Sequence, residues 1–514
     1  MSAGTADRSP ADPGPEEPWG RLHPRLILVN LAVLAAPVAL FLGSLLVTGG
    51  KATLPLLITV GSVFVTFLVI CGISLLRLLT TRYRVTGERV EVRSGFVFHR
   101  SRSLPVDRIR SLDLTANPVH RVFGLTTLRI GAGGQGSSSG GELSLDGISV
   151  ADAEELRRRI TERRGAAPPA GEDNAPILAL DWAWLRYGPL TVWGVGGVFA
   201  ALGTVYRILD EMQIDPLELG IVKEVADRFG SVPLWCGVLV TALIVVALGV
   251  AGSTATFAEG WYGYRLERQD TGMFRVRRGM LVTRSVTIEE RRLRGVEIIE
   301  PIPLRWAGGA KLSAVASGLG DAEENRRRRV LTPPSPRAEV LRVAAEVLAE
   351  DESPTTLAAL VPHPRVALRR RLNRALSVTL LTAAVPVGLG LWLTPVLVHI
   401  GWILALVLLP LTTVLARDAY RTLGHGIHGR YLVTRAGTFA HRTVALQREG
   451  IVGWTVTRSF FQRRAGLLTL GATTGAGSGV YRVRDVTVSE GLSLAEEAVP
   501  RLLAPFVERV PARD

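Results

Sequence analysis

Cysteine is almost missing from this chain, which has two cysteines in 514 residues. Both of them, Cys71 and Cys236, lie inside long apolar runs. A disulfide framework needs several cysteines in soluble segments, and a thiolate metal site needs cysteines at ligand spacing. The sequence therefore argues against both, and we interpret the two cysteines as small packing residues.

Catalytic motifs are also missing. The chain has no zinc-protease helix motif, no phosphate-binding lysine loop and no nucleophile elbow. The run Gly131–Gly136 has the spacing of a dinucleotide fingerprint, but the serines and glycines at 137–141 cannot open the helix that receives a pyrophosphate. His425, His428 and His441 have no carboxylate or cysteine at ligand spacing, and neighbouring glycines favour a juxtamembrane linker. We predict no enzyme activity, no catalytic residue, no cofactor and no metal.

Charged residues are missing from the centres of six apolar blocks. The mean hydropathy is +0.26 although 21% of the residues are charged, so apolar and charged residues are segregated along the chain. The blocks are 26–48, 55–78, 188–206, 233–256, 375–398 and 400–416. Most are close to the ~20 residues that cross a bilayer, which predicts six transmembrane helices. Buried charges usually mark ion pathways, so their absence argues against a transporter.

Basic residues flank these blocks on one side. Arginines precede and follow the third pair of blocks, whereas the turn 394–401 between them carries no Asp, Glu, Lys or Arg. The loop 207–232 has six acidic residues against three basic ones, which predicts an external loop. The positive-inside rule thus predicts a multi-pass inner-membrane protein with both termini cytoplasmic. Much of the net charge of +14 follows from this topology, so we predict no nucleic-acid partner.

One stretch occurs three times. Gly95–Leu128 reappears at Gly279–Leu312 and again at Gly437–Leu470, without a gap. Identical residues occupy five positions of each copy: Gly95/Gly279/Gly437, Arg100/Arg284/Arg442, Arg121/Arg305/Arg463, Gly124/Gly308/Gly466 and Leu128/Leu312/Leu470. Apolar residues two positions apart within each copy indicate strands with one buried face. Repeats of this kind predict tandem copies of one structural unit.

Each copy lies in a segment with the same plan: an extended entry, several short strands, a glycine-rich or charged loop and an amphipathic helix. The helices are predicted near 150–163, 336–350 and 493–507, and flexible connectors near 165–176 and 351–364. The predicted divisions are a disordered tail (1–25), hairpin 1 (26–79), module 1 (80–164), a linker with an interfacial segment (165–187), hairpin 2 (188–257), module 2 (258–350), a linker (351–374), hairpin 3 (375–416) and module 3 (417–514).

These motifs resemble a known family. The runs 94–100, 104–109 and 121–128 are similar to the bacterial pleckstrin-homology-like (PH-like) domain of YdbS/YdbT-type membrane proteins. The resemblance implies transmembrane hairpins plus α+β soluble domains, namely six transmembrane helices and three partly open β-barrels, each closed by a C-terminal helix. It also implies membrane-associated binding or scaffold proteins, some linked to envelope stress or bacteriocin tolerance.

The repeated arginines are the candidate functional residues. Arg100, Arg284 and Arg442 with Arg121, Arg305 and Arg463 present guanidinium groups that match lipid phosphates. Alternatively they bridge strands or cap carbonyls, which would also repeat in every copy. The sequence favours a non-catalytic protein that binds the lipid bilayer, through anionic headgroups or another membrane protein. The alternative is a transport or export component with a pathway through the six helices. The oligomeric state stays open.

Overall fold

The structure is a computed structural model of the chain. It describes residues 19–29, 31–32, 54–86, 89–95, 100–106, 109, 111–116, 118–131, 142–163, 176–190, 203, 207, 234–269, 272–317 and 328–506. The chain divides into two compact units. Of the described residues, the first unit contains those up to Arg163 and residues 281–285, and the second contains the others.

The first unit contains one long apolar helix, α1 (Leu54–Thr80), followed directly by module 1. Its strands are β1 (Gly20–Arg21), β2 (Arg82–Val85), β3 (Arg89–Ser94), β4 (Arg100–Pro105), β5 (Ser111–Ala116), β6 (Leu125–Gly131) and β7 (Glu142–Ser149). β1 to β4 form an antiparallel sheet in chain order. β6 pairs antiparallel with β5 and β7, a short helix α2 (Pro118–Val122) precedes β6, and α3 (Val150–Arg163) follows β7.

The core of module 1 forms because strand residues alternate between the two faces of each sheet. Val90 and Val92 on β3, and Leu128 and Ile130 on β6, are buried on the inner face. Ile160 of α3 is fully buried in the same cluster. The predicted helix 150–163 is therefore present and closes the core.

The end of the predicted disordered tail is ordered in the structure. Gly20 pairs with Tyr83, and Trp19 lies beneath the guanidinium groups of Arg84 and Arg93, at 4.8 and 4.4 Å from its ring centroid. Leu22, Leu26 and Val29 are buried against Leu125. Apolar residues on both sides of the predicted boundary between the tail (1–25) and hairpin 1 (from 26) therefore pack on module 1. Residues 1–18 lie outside the described part.

The second unit contains module 2 and module 3. Module 2 is preceded by α4 (Leu234–Trp261), and its strands are β8 (Leu178–Ala179), β9 (Arg265–Gln269), β10 (Met273–Arg278), β11 (Thr283–Glu289), β12 (Leu293–Pro301), β13 (Gly309–Ala316) and β14 (Ser335–Pro336). The first residues of β11 cluster with the first unit. Its C-terminal helix is α5 (Arg337–Leu348), close to the predicted 336–350.

Module 3 follows a long helical hairpin. After a short helix α6 (Pro354–Leu357), the hairpin consists of α7 (Arg365–Trp392) and α8 (Pro395–Arg421). The module contains β15 (Gly424–His428), β16 (Tyr431–Ala436), β17 (Ala440–Gln447), β18 (Gly453–Thr457), β19 (Leu467–Thr473) and β20 (Val480–Thr487), with α9 (Phe460–Arg464) and α10 (Val488–Ala498). The C-terminal helix begins and ends earlier than the predicted 493–507.

Modules 2 and 3 share a sheet, which the sequence did not predict. The six-stranded order is β14-β13-β12-β17-β16-β15, so β12 of module 2 pairs antiparallel with β17 of module 3. The register runs from Gly295 opposite Leu446 to Pro301 opposite Ala440. β18, β19 and β20 form a separate three-stranded sheet. Among the described strands no sheet closes on itself, so the expected barrels appear here as open, packed sheets.

Three described helices are long and apolar enough to cross a membrane: Leu243–Trp261, Arg365–Trp392 and Pro395–Arg421. A shorter apolar helix covers Phe64–Thr80. α7 and α8 extend beyond the predicted hairpin (375–416), and α7 takes in ten residues assigned to the linker. The predicted spans 26–48 and 188–206, the external loop 207–232 and the glycine loop 132–141 lie wholly or largely outside the described residues.

The repeated glycines support the internal repeat at the level of the backbone. Gly124, Gly308 and Gly466 have φ of 68°, 71° and 65°. Each of them follows a short helical turn and precedes an inner strand. Positive φ of this kind strongly favours glycine, so the residue is kept at this turn for backbone reasons.

The predicted flexible connector 351–364 is packed instead. Ser353 and His363 are 3% and 5% exposed, α6 lies within the segment, and Val361 bridges to His425. The composition of the segment is typical of a linker, but the backbone N–H of Val361 donates to the carbonyl of His425 in β15 at 2.8 Å. The glycines around His425 likewise form this strand rather than the predicted loop, because Gly426 brings its backbone close to the carbonyl of Ala359.

Candidate membrane-facing site

The six repeated arginines occupy two kinds of position. Arg100, Arg284 and Arg442 lie on equivalent strands, β4, β11 and β17. The other three lie in the short turns before the left-handed glycines: Arg121 in α2, Arg305 in a 3₁₀ turn (Leu304–Ala307) and Arg463 in α9. The side chain of Arg100 lies outside the described part. Within the second unit, Arg305 contacts Asp418, Arg442 contacts Glu297, and Arg463 is exposed on α9.

Arg442 connects module 3 to module 2. Its Nη1 donates to Oε1 of Glu297 at 2.9 Å, and Arg329 Nη1 lies 3.2 Å from the other carboxylate oxygen of Glu297. Glu297 is 3% exposed and lies on β12, the strand that pairs with β17. A buried carboxylate needs such partners, since an uncompensated charge would be costly. Arg442 therefore links β17 to β12 through Glu297, while 52% of its own side chain is exposed.

Arg305 joins module 2 to the end of α8 and to β17. Its Nη2 donates to Oδ2 of Asp418 at 2.6 Å, and its Nη1 contacts Nε2 of His441. Nε2 of His441 also lies 3.0 Å from Asp418 and 2.8 Å from the hydroxyl of Thr422. Burial lowers the pKa of His441 although Asp418 opposes this shift. The side chain of Arg305, 13% exposed, is thus satisfied by a carboxylate and largely withdrawn from solvent.

The remaining arginines stay candidates for ligand contact. Arg121, Arg284 and Arg463 are exposed on the surface. Arg463 is of particular interest because Arg464 beside it is also exposed, and because the two precede a buried strand. Arg463 lies on α9, which is connected to the membrane hairpin through Gln462 and Asp485.

Asp485 is the residue that ties α9 to the membrane hairpin. It is 2% exposed and has φ of +60°, near the end of β20. Its carboxylate accepts from Arg370 through one oxygen and from Arg371 Nη2 at 3.3 Å through the other. The amide nitrogen of Gln462, in α9, donates to Oδ1 of Asp485 at 3.0 Å. One buried carboxylate therefore holds α7, β20 and α9 together.

Apolar contacts reinforce this junction. Ala367 of α7, Leu423 after α8 and Leu467 of β19 form one buried cluster, at 0%, 6% and 1% exposure. Tyr420 and Ala465 pack against it. The α9 turn thus lies beside the ends of both hairpin helices. Ser459 fixes the start of the turn through a reciprocal capping box with Gln462.

The outer surface of α9 is aromatic and basic. Phe460 and Phe461 are 57% and 69% exposed, with ring centroids 5.5 Å apart in an edge-to-face arrangement. Arg463 and Arg464 are exposed in the same turn. Aromatic rings and cationic side chains side by side suit the headgroup region of a bilayer, where one end of a residue is apolar and the other hydrated. We call these four residues the α9 patch.

Two histidines form a second buried contact near this junction. Nδ1 of His425 lies 3.0 Å from Nε2 of His363, and Nδ1 of His363 lies 3.3 Å from the carbonyl oxygen of Asp485. Burial and the neighbouring His425 lower the pKa of His363 to about 4, and burial lowers that of His425. No group of three His, Cys, Asp or Glu side chains with metal-binding geometry occurs among the described residues.

Comparison with known proteins gives the family. A family model described as bacterial PH domain matches residues 31–164 and 378–498, each a stretch of helix followed by the strands and terminal helix of one module. These two regions of the chain belong to the bacterial PH domain family. It is similar to the UPF0699 transmembrane protein YdbT of Bacillus subtilis (strain 168), with 22% identity over 451 residues that cover 82% of this chain and 85% of that one. No solved structure matches the chain.

Sequence patterns did not identify most of the residues that join the membrane hairpin to this bacterial PH module. The sequence pattern assigns the arginines before the third pair of apolar blocks to membrane topology, but two of them, Arg370 and Arg371, pair with Asp485 more than a hundred residues away. No local sequence pattern distinguishes Asp485, because it is a single acidic residue in a strand where arginines alternate with apolar residues. The signal that could have found the α9 patch is the run Phe460–Arg464, where two exposed aromatics precede two arginines at the repeated position.

Proposed function

We propose that this protein is a non-catalytic, polytopic membrane protein with six spans and cytoplasmic termini, whose PH-like modules bind anionic lipid headgroups at the membrane face. The α9 patch is the observation that carries the proposal. Its exposed aromatic and basic side chains are fixed, through Gln462 and Asp485, to the helix that enters the membrane.

The energetics favour a weak, charge-dependent contact. A basic residue near an anionic membrane surface contributes about 1 kcal/mol. Arg463 and Arg464 together would therefore supply a modest attraction, and the phenylalanine rings would add apolar contact in the interface. Because the hairpin already holds the module at the bilayer, the patch selects and orients lipids without having to recruit the protein.

The rival function, transport through the helices, has less support in the described part of the chain. Residues 376–416 contain no Asp, Glu, Lys or Arg. A Cβ at Gly390 would lie 2.5 Å from the backbone of Val398, and one at Gly401 would lie 2.4 Å from Val387. α7 and α8 therefore pack closely, and within the apolar part of the hairpin the hydroxyls of Thr379 and Thr412 form a hydrogen bond between them.

Lipid retention by the full chain tests the proposal. The detergent-extracted protein is equilibrated with an equimolar mixture of phosphatidylglycerol and phosphatidylcholine, and the lipid retained after purification is quantified by mass spectrometry. We expect an excess of phosphatidylglycerol, which Arg463→Glu reduces. The matched control is Arg501→Glu, the same charge change at an exposed arginine beyond α10.

The possible results test headgroup binding and the α9 patch separately. Equal retention of both lipids by the unaltered chain would contradict headgroup binding altogether. An anionic excess that Arg463→Glu and Arg501→Glu reduce equally would show that headgroups bind through overall charge, and would reject the α9 patch. Loss of the phosphatidylglycerol excess in Arg463→Glu but not in Arg501→Glu supports both headgroup binding and the α9 patch as its site.

A further inference from the structure

Two strands that correspond under the internal repeat have different neighbours. β12 of module 2 corresponds to β18 of module 3, with Gly295 equivalent to Gly453. β12 is paired on both sides, with β13 and with β17. β18 is paired with β19 and is the end strand of its three-stranded sheet. Within the described residues, β18 thus has an open edge where β12 has a partner.

A complementary difference occurs at the other end of the chain. β4 of module 1 corresponds to β17 of module 3, with Arg100 equivalent to Arg442. β17 lies between β16 and β12, whereas β4 is the end strand of the sheet β1-β2-β3-β4. Within the described residues, module 3 therefore has an unpaired edge on β18, the counterpart of β12, and module 1 has an unpaired edge on β4, the counterpart of β17.

Gly453 is an independent sign that β18 is built for such a contact. At Gly295 the partner strand approaches so closely that a Cβ would lie 2.0 Å from the carbonyl oxygen of Ala445. At Gly453 the nearest atom to a Cβ would be Thr473 Cβ, at 4.0 Å. The close approach of β17 thus requires a glycine at position 295. The equivalent residue of β18 is also glycine, Gly453, although nothing in the described chain occupies the space beside it.

We propose that a second copy of this chain occupies the edge of β18, by adding its β4 in the register that β17 adopts on β12. Gly453 then lies opposite Leu104 of the second copy, and Thr455 lies opposite Arg102. Unpaired N–H and C=O groups at a strand edge provide the hydrogen bonds for strand addition. Val456, 46% exposed, gains a neighbouring side chain in this arrangement.

The contact between copies is weaker than the contact within the chain. Thr455 takes the place of Glu297, so the ion pair between Arg442 and the buried Glu297 has no counterpart between β18 and β4. Backbone hydrogen bonds then supply most of the affinity, and association depends on protein density in the membrane. The contact is heterologous, because one copy contributes β18 and the other β4, so it extends to rings or chains of copies.

The membrane is compatible with this arrangement. α4 leads directly into module 2, and α8 leads directly into module 3. The β12–β17 contact within the second unit therefore already joins two modules that each follow a membrane helix. Repetition of the same contact between copies requires no change in how a module meets its helix. The inference is independent of headgroup binding.

Site-specific disulfide formation tests the proposal. Two differently tagged full chains, each with Cys71 and Cys236 replaced by Ala, are co-expressed in membranes, one carrying Thr455→Cys and the other Arg102→Cys. Mild oxidation should give a cross-linked product with both tags. The register control replaces Arg102→Cys by Arg93→Cys, an exposed position on the inner strand β3, which should give none.

A second variant distinguishes a packed contact between β18 and β4 from random collision of two chains in the membrane. Gly453→Ala should remove the cross-link without lowering the melting temperature of the chain, because the added Cβ meets the second copy only. Absence of the Thr455–Arg102 cross-link at the highest protein density, equal cross-linking with Arg93→Cys, or persistence of the cross-link in the Gly453→Ala chain would each overturn the proposal.

Discussion

At the scale of single residues, Asp485 has the most demanding environment in module 3. It is buried in the left-handed region of the backbone, where Asp and Asn are tolerated better than most residues. Its charge compensates Arg370 and Arg371, and its loss would leave two arginines beside an uncharged group. This combination makes the residue a direct probe of the junction between the hairpin and the module.

We expect Asp485→Asn to destabilise the full chain by about 3–5 kcal/mol, the usual effect of removing one partner from a buried ion pair. Asparagine keeps the size and the backbone preference of aspartate, so the loss reports the charge. The measurement is chemical or thermal unfolding in detergent. Asp351→Asn, an exposed acidic residue outside the junction, is the control and should leave stability unchanged. Equal stability of both variants would show that Asp485 does not hold the hairpin.

The histidine pair predicts a dependence of stability on pH. The distances fit two neutral rings, with His425 donating to His363 and His363 donating to the carbonyl of Asp485. The ordinary histidine pKa is 6.5 and that of folded His363 is about 4. Between these values the unfolded chain binds protons that the folded chain does not, so stability is complete above pH 6.5 and falls as the pH decreases toward 4.

Melting temperatures of the full chain at several pH values between 7.5 and 5 check this expectation. We expect a decrease toward acidic pH that becomes smaller in His363→Asn, because the variant has one buried histidine fewer to protonate. His428→Asn alters an exposed histidine at the end of β15 and should keep the full decrease. A pH profile that is the same in all three chains would exclude the pair as its source.

At the scale of elements, the segment 351–364 shows how composition can mislead. Its prolines, alanines and acidic residues are typical of a linker, yet it packs against β15 through backbone contacts that no side-chain pattern reveals. The strands were easier to predict, because residues such as Leu128, Leu312 and Leu470 recur at fixed spacing and are all fully buried. Periodicity along one strand is local information, whereas the partner of a small polar segment is not.

Gly426 tests whether this segment is a fixed part of module 3. A Cβ at Gly426 would lie 2.7 Å from the carbonyl oxygen of Ala359, so Gly426→Ala should displace the segment. We expect a loss of about 1–3 kcal/mol in unfolding free energy, as for other overpacked sites, and faster proteolysis within 351–364. Gly475→Ala is the matched control, because a Cβ there meets nothing within 4 Å. Unchanged proteolysis in Gly426→Ala would contradict the packed arrangement.

At the scale of the whole molecule, the repeat predicted the modules but not their association. Most core residues of each copy come from that copy, so its strands and terminal helix follow from its own sequence, although Tyr431 and Val433 of module 3 also pack in the core of module 2. The pairing of β12 with β17 depends on the register between strands of different copies, and the Arg442–Glu297 contact depends on that register. Arg305 pairs with Asp418, whereas the equivalent Arg463 is exposed, so repetition alone could not assign a common role to these arginines.

The arrangement of the chain across the membrane gives the last prediction. Basic residues flank the described hairpin at its module side, whereas the turn between α7 and α8 has none, so the modules should share the cytoplasmic side. Single cysteines at exposed positions, Ala151 in module 1, Glu352 before α6, Ser489 in module 3 and Thr394 in the turn, are introduced into a chain without Cys71 and Cys236. A membrane-impermeant maleimide applied to intact cells should label Thr394→Cys alone, and permeabilisation should expose the other three. Labelling of any module position from outside would contradict the common orientation, and would also exclude the α9 patch from the anionic cytoplasmic leaflet.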